Sequence, residues 1–255
     1  MASVQSTLKR ELIAKQRESL PTSLASDLTI DLRCDYCRSI NEDTINVTNK
    51  ERNKMYTRDC NEIADYASKH PDNFVRVVTF TLCTIQAGLS TVKQQMKDVD
   101  VNGLDSKYLW GQKSNGLAYT IANKEFLWGK LMAIKERGTS DVDAIVDGIM
   151  LLMRVPNLGM VKASFVMQML GFNVACIDSH NLTRLGLSPN AVKIGAKLKT
   201  ESKYAKIKSY VLMCQEDGTE YWWDTWCDYV AGNRANRLLD TGDVVSKFHV
   251  DCVVA

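Results

Sequence analysis

Proline is scarce in this sequence: Pro21, Pro71, Pro156 and Pro189 are the only four among 255 residues. The long proline-free stretches are rich in Ala, Leu, Met, Lys and Glu, so extended helices meet no backbone obstacle and an all-α fold is expected. Long hydrophobic runs are missing too. None approaches the roughly 18 uninterrupted apolar residues of a membrane span, and the opening Met1-Ala-Ser-Val-Gln-Ser carries neither the charged nor the apolar region of a secretory signal. This predicts a soluble, intracellular protein with no membrane partner. The eight cysteines, at 34, 37, 60, 83, 176, 214, 227 and 252, are scattered, several of them inside apolar runs where a thiol behaves as a small hydrophobe. Reduced thiols fit this pattern better than a disulfide framework. Internal repeats and low-complexity tracts are also lacking. The 45% of hydrophobic residues is enough for the core of one large domain or two modest ones, which excludes disorder over most of the length.

The chain reads as a polar N-terminal arm over residues 1–56, with helical spacing at Leu8, Leu12 and Ile13, followed by a helical body over 57–255. A helix from about Thr57 to His70 must end before Pro71, because the residue preceding proline disfavours the α conformation. The apolar run beginning at Phe74 is rich in β-branched residues but too long and too irregular for a strand, so it reads as a buried helix. Further helices are predicted over 117–137 and 140–154, the second opened by Thr139-Ser140-Asp141, whose side chains suit free backbone N–H groups. Others follow up to about Leu170, over Glu220–Tyr229, and from Thr241 to the end.

Between two of these helices stands Val155-Pro156-Asn157-Leu158-Gly159. Each position has its own steric duty: Pro156 stops the first helix, Asn157 tolerates a left-handed backbone, Leu158 plugs the angle between helices, and Gly159 permits close approach at the start of the second. The result is a helix-hairpin-helix over 143–171. Free N–H groups at the second helix's N-terminus, backed by the positive end of its dipole, make a seat for a phosphate oxygen. Such a device holds nucleic-acid backbone and reads no base sequence.

Charge distribution agrees with that partner. The net charge is only +2, yet 151–213 holds nine basic residues against two acidic ones. The lysines at 193, 197, 199, 203, 206 and 208 are read as part of a DNA footprint, although a run of charges more often marks a solvated face.

From Leu151 to Gly186, through Val155-Pro-Asn-Leu-Gly159, the apolar helix after it, Ile177-Asp178-Ser179-His180, Arg184 and Gly186, the sequence resembles the core of the helix-hairpin-helix DNA glycosylases, the endonuclease III-like superfamily. The similarity covers about 35 of the 255 residues. Phe80–Ser90, with Gln86 inside it, resembles the superfamily's early glutamine-containing helix. A bacteriophage branch acting on hypermodified thymine is similar as well, in the aromatic and acidic helix and in Ser246-Lys-Phe-His249.

The resemblance implies hydrolysis of the N-glycosidic bond of a flipped-out damaged or modified base, with Asp178 as the catalytic carboxylate that stabilises positive charge on the deoxyribose. It places Asn157, Leu158, Gly159, Met160, Val161 and Lys162 at the phosphate-binding hairpin and His180, Arg184, Lys193 and Lys197 on the DNA. Two departures matter. Bifunctional members carry a Schiff-base lysine where this chain has Val161, and Lys162, one residue on, is rotated by about 100° around the helix. A monofunctional enzyme is therefore implied, with Lys162 a lesser catalytic candidate. The four-cysteine iron–sulfur spacing is absent, so no cofactor is expected.

Two rival readings use the same residues: a DNA-binding protein that keeps the hairpin without a working pocket, and a structural or virion-assembly protein whose hairpin is only a helical corner. Cys34-Asp-Tyr-Cys37 has a zinc-like spacing that Cys60 and His70 are the residues to complete, but no second pair follows, and a loop or redox-inert pair is the reading. In Tyr221-Trp222-Trp223-Asp224-Thr225-Trp226, base stacking competes with core packing. The helical spacing of Trp222, Trp226 and Tyr229 and the acidic neighbours favour core.

Overall fold

Backbone chemistry around the prolines and capping residues sets the order of elements. The computed structural model describes residues 48–195, 197–232 and 242–254, all within one compact unit spanning 41–255. Leu8, Leu12, Ile13, Cys34, Cys37 and Thr241 lie outside the described residues, as does most of the arm expected over 1–56.

The described residues form eleven α-helices and two short 3-10 turns, and no strand occurs among them. Helix α1, Thr48–Lys69, stops at His70, whose side chain caps α2, Pro71–Thr84, by accepting from the Asp72 N–H. Pro71 takes the first helical turn, where a missing N–H costs nothing. Helix α2 runs through the core, burying Phe74, Val77, Val78, Phe80, Leu82 and Cys83. Its buried threonines stay satisfied by donating one turn back, Thr79 to the Val75 carbonyl at 2.8 Å and Thr81 to that of Val77 at 3.0 Å.

Helix α3, Leu89–Asn102, carries a weaker apolar stripe that the sequence reading passed over. The single helix expected over 117–137 is two, α4 Gln112–Ala122 and α5 Lys124–Arg137. They part at Asn123, whose side-chain amide donates to the Tyr119 carbonyl and ends α4. Helix α6, Val142–Leu152, opens as predicted on Asp141, which accepts from the Ala144 N–H at 2.6 Å. Then come α7 Met160–Met169, α8 Ser179–Leu185, α9 Thr200–Asp217, α10 Thr219–Gly232 and α11 Gly242–Val253. Helix α9 carries Lys203, Lys206 and Lys208 of the basic segment. No described helix is long and apolar enough to cross a membrane.

Helices α6 and α7 are joined by a short turn over residues 153–159. Arg154, Val155 and Leu158 donate to the carbonyls of Leu151, Leu152 and Val155, closing the turn tightly. Leu158 is buried as the plug, and Asn157 adopts the left-handed backbone with φ 71°. Asn157→Gly should therefore leave stability within about 0.5 kcal/mol, whereas the β-branched Asn157→Val should cost roughly 1–2 kcal/mol, read as a shift in the urea midpoint at unchanged slope.

Two other glycines let elements approach closely, one where α4 meets the turn at Pro156 and one between α6 and α7. A Cβ on Gly116 of α4 would lie 2.4 Å from the Pro156 carbonyl oxygen, and one on Gly148 of α6 would lie 2.3 Å from the Met167 methyl. The space in front of Gly159, by contrast, is open, with nothing within 4 Å. The close packing expected at Gly159 is made at Gly116 and Gly148 instead.

Candidate nucleic-acid site and catalytic pocket

The segment from Phe172 to Asp178, which joins α7 to α8, is largely buried and belongs to no helix or strand, so its backbone groups must find partners elsewhere. Side chains from four helices supply them. Gln168 of α7 accepts from the Cys176 N–H at 3.1 Å, and Asn181 of α8 donates to the Cys176 carbonyl at 2.7 Å. The Tyr210 hydroxyl of α9 donates to the Ala175 carbonyl at 2.7 Å and accepts from the Ile177 N–H at 3.0 Å. Thr219 of α10 donates to the Val174 carbonyl. Asp178, at the end of this clamped segment, is positioned by the whole core.

Asp178 is the N-cap of α8. Its Oδ1 accepts from the N–H groups of His180 at 3.0 Å and Asn181 at 3.2 Å, and its Oδ2 accepts from the Trp226 indole N–H at 3.1 Å. Three donors thus converge on the two oxygens.

Lys162 stands in the first turn of α7. Its ammonium donates to the Thr84 hydroxyl at 3.4 Å and lies 5.5 Å from the centre of the Phe165 ring. Thr84 in turn donates to the Thr81 carbonyl, which leaves its lone pairs for the lysine. Lys162 makes no ion pair with a described carboxylate.

These groups border one cleft with a cavity volume of about 100 Å³. Thr84, Ala87, Gly88 and Leu89 form one wall, from the end of α2 to the start of α3. Lys162 and Phe165 come from α7, Cys176, Asp178 and His180 from the clamped segment and α8, and Trp226 from α10. The hairpin amides and the pocket therefore share a helix: Met160 and Val161 begin α7, and Lys162 and Phe165 continue it into the cleft. Gln86, exposed at the rim between Thr84 and Ala87, holds a left-handed backbone with φ 54°. It lies in a turn and not in a helix, and a non-glycine residue in that region stores strain at the edge of the cleft.

The other predicted site residues divide. Val161 is half-buried against the core while Lys162 borders the cleft, so the one-residue displacement does not carry the lysine away from Asp178. His180 borders the cleft and stands edge-on to Trp226. Arg184 turns inward: its guanidinium donates twice to Asn181 Oδ1 and lies over the rings of Tyr221 and Trp222, fastening α8 to α10. Leu158 and Met160 are buried, and Asn157 and Gly159 are exposed. Lys193 and Lys197 are exposed between α8 and α9 but do not line the cleft. Lys208, further along α9, is taken up by Asp143 at 2.8 Å.

Among the aromatic residues read as core, Trp222 is buried but Trp226 is a wall of the cleft. Helical spacing could not separate them, since both lie on inward faces of α10 and only the tertiary position of Asp178 distinguishes them. Phe165 and Thr84 were also missed. The Cys176 thiol in the cleft is pushed up to about 12 by burial, which removes it as a nucleophile at neutral pH. Cys60 points its thiol at the Gln168 carbonyl, and no described group of three His, Cys, Asp or Glu residues is placed to hold a metal ion.

Behind Phe165 and Trp226 lies His249 of α11, fully buried, its ring centre 5.2 Å from that of Trp226 and 5.3 Å from those of Phe80 and Trp223. Its Nδ1–H donates to the Val245 carbonyl at 2.6 Å. Burial pushes its pKa down from 6.5 to about 4, and the nearby Lys162 charge adds to the effect. The unfolded chain thus binds this proton first: the full stability is present above pH 6.5 and is lost as pH falls towards 4. The loss reaches roughly 3 kcal/mol. Chemical denaturation from pH 7 to 4 should show this slope in the wild type and a shallower one in His249→Phe. Compared with known proteins, the chain matches no family model, no curated protein and no solved structure.

Proposed function

We propose that the chain is a DNA-binding helix-hairpin-helix protein acting as a monofunctional DNA glycosylase-like enzyme on a flipped-out damaged or modified base. The observation that carries this reading is that Lys162, in the first turn of α7, and Asp178 line the same cleft. The open space before Gly159 and the uncapped start of α7 suit a phosphate oxygen. A backbone held there presents its sugar to the cleft, and the faces of Phe165 and Trp226 suit an unstacked base.

In the reaction the bond from C1′ to the base nitrogen breaks and its electron pair leaves with the base. Positive charge builds on the deoxyribose, where the Asp178 carboxylate stabilises it, and negative charge builds on the base, where the Lys162 ammonium opposes it. Water adds to C1′, one proton goes to the base, and the products are free base and an abasic site. Lys193 and Lys197 add phosphate contacts outside the cleft.

The test is release of free base from duplex DNA carrying a panel of damaged and modified bases, together with binding across a salt series. The reading predicts base release, a steep fall in affinity with salt, and a salt slope lower by about 1 for each of Lys193→Ala and Lys197→Ala. It also predicts that borohydride traps no covalent adduct and that Lys162→Ala slows release by about 10- to 100-fold. An adduct that disappears in Lys162→Ala would make the lysine a nucleophile and the enzyme bifunctional. Salt-sensitive binding without release from any substrate would leave the non-catalytic DNA-binding reading.

A further inference from the structure

The Asp178 carboxylate is held at both of its oxygens. The amides of His180 and Asn181 meet Oδ1. The Trp226 indole N–H meets the other atom, Oδ2, at 3.1 Å. A carboxylate offers about four lone-pair positions, so the three donors leave one acceptor position on Oδ2 for the cleft.

Two other indoles donate differently. Trp128 and Trp222 give their N–H to backbone carbonyls, those of Ala67 and Cys214, as core tryptophans ordinarily do. Trp226 gives its N–H to a carboxylate, and a hydrogen bond to an ionised group is about twice as strong as a neutral one. Its ring is in turn braced by Phe165, with centres 6.4 Å apart, and by His249, which is fixed by its own bond to Val245.

We propose that Trp226 is a positioning residue: its indole N–H locks the plane of the Asp178 carboxylate, so that one Oδ2 lone pair stays turned to the sugar in the cleft. This rests on the glycosylase-like reading of the pocket. The role differs from base stacking, which needs the ring but not the N–H.

Trp226→Phe separates the two, keeping an aromatic face and removing the donor. The full chain is titrated with duplexes carrying a cationic azasugar, a mimic of the charged deoxyribose, or the neutral tetrahydrofuran abasic analogue. The wild type should prefer the azasugar, and Trp226→Phe should reduce that preference by about tenfold while binding the neutral analogue as before. With a releasable base, the same variant should lower kcat and leave KM unchanged. In ¹H–¹⁵N spectra the indole signal that Trp226→Phe deletes should be the one that Asp178→Asn displaces most. An unchanged azasugar preference in Trp226→Phe, or an indole signal indifferent to Asp178→Asn, would overturn the proposal. Equal binding of both analogues by the wild type would instead remove the glycosylase-like reading, and the indole signal would still report whether the bond exists.

Discussion

Asp178→Asn should abolish base release, a loss of at least about 1,000-fold in single-turnover rate, while leaving duplex binding intact or tighter. The argument has two halves. Asparagine is as good an N-cap as aspartate, so the bonds from His180 and Asn181 to Oδ1 survive and α8 keeps its start. What disappears is the negative charge, and with it the stabilisation of a cationic sugar. Removing an anion from beside the phosphates also favours binding. Asp178→Ala, by contrast, loses the cap as well and should cost about 1 kcal/mol of stability. Thermal melting, fluorescence polarisation and single-turnover assays on the two variants separate these effects. Retained turnover in Asp178→Asn would remove the mechanism.

Gly116→Ala should have the largest effect on the fold. The new methyl would meet the Pro156 carbonyl oxygen at 2.4 Å and a Leu82 methyl at 3.3 Å. The first of these is backbone, so either α4 or the hairpin turn must move, at a cost of about 2–4 kcal/mol. Because the displaced atom belongs to the turn that sets the start of α7, DNA affinity should fall too. Two controls bracket the result. Gly148→Ala meets only the end of the Met167 side chain, which can swing aside, and should cost about 1 kcal/mol. Gly159→Ala meets nothing, and its φ of −78° suits any residue, so stability should stay within about 0.5 kcal/mol. Its methyl would nonetheless stand where a phosphate approaches the open amides, and affinity should drop. If Gly159→Ala bound DNA like the wild type, the hairpin would be a corner and not a contact.

Much of the helical order was legible because local chemistry writes it. Pro71, Asp141 and Pro156 punctuate the chain through their own backbones and side chains, and the turn around Asn157 needs no distant partner. The break at Asn123 was missed since the apolar spacing of α4 runs on into α5, and α3 was missed because its stripe is thin. The site was legible in part. Asp178 and the hairpin lie on one stretch of sequence whose pattern points to DNA. Thr84 and Trp226 come from far along the chain in either direction, and only packing brings them to the cleft. Lys162, in the first turn of α7, borders the same cleft as Asp178.

The most direct test is a structure of the full chain bound to duplex DNA carrying a single abasic analogue. The account predicts a phosphate oxygen within about 2.7–3.2 Å of N–H groups at the start of α7, with C1′ of the analogue against Asp178 in the cleft bordered by Trp226. Phosphates seated elsewhere, with the cleft empty of nucleotide, would contradict it.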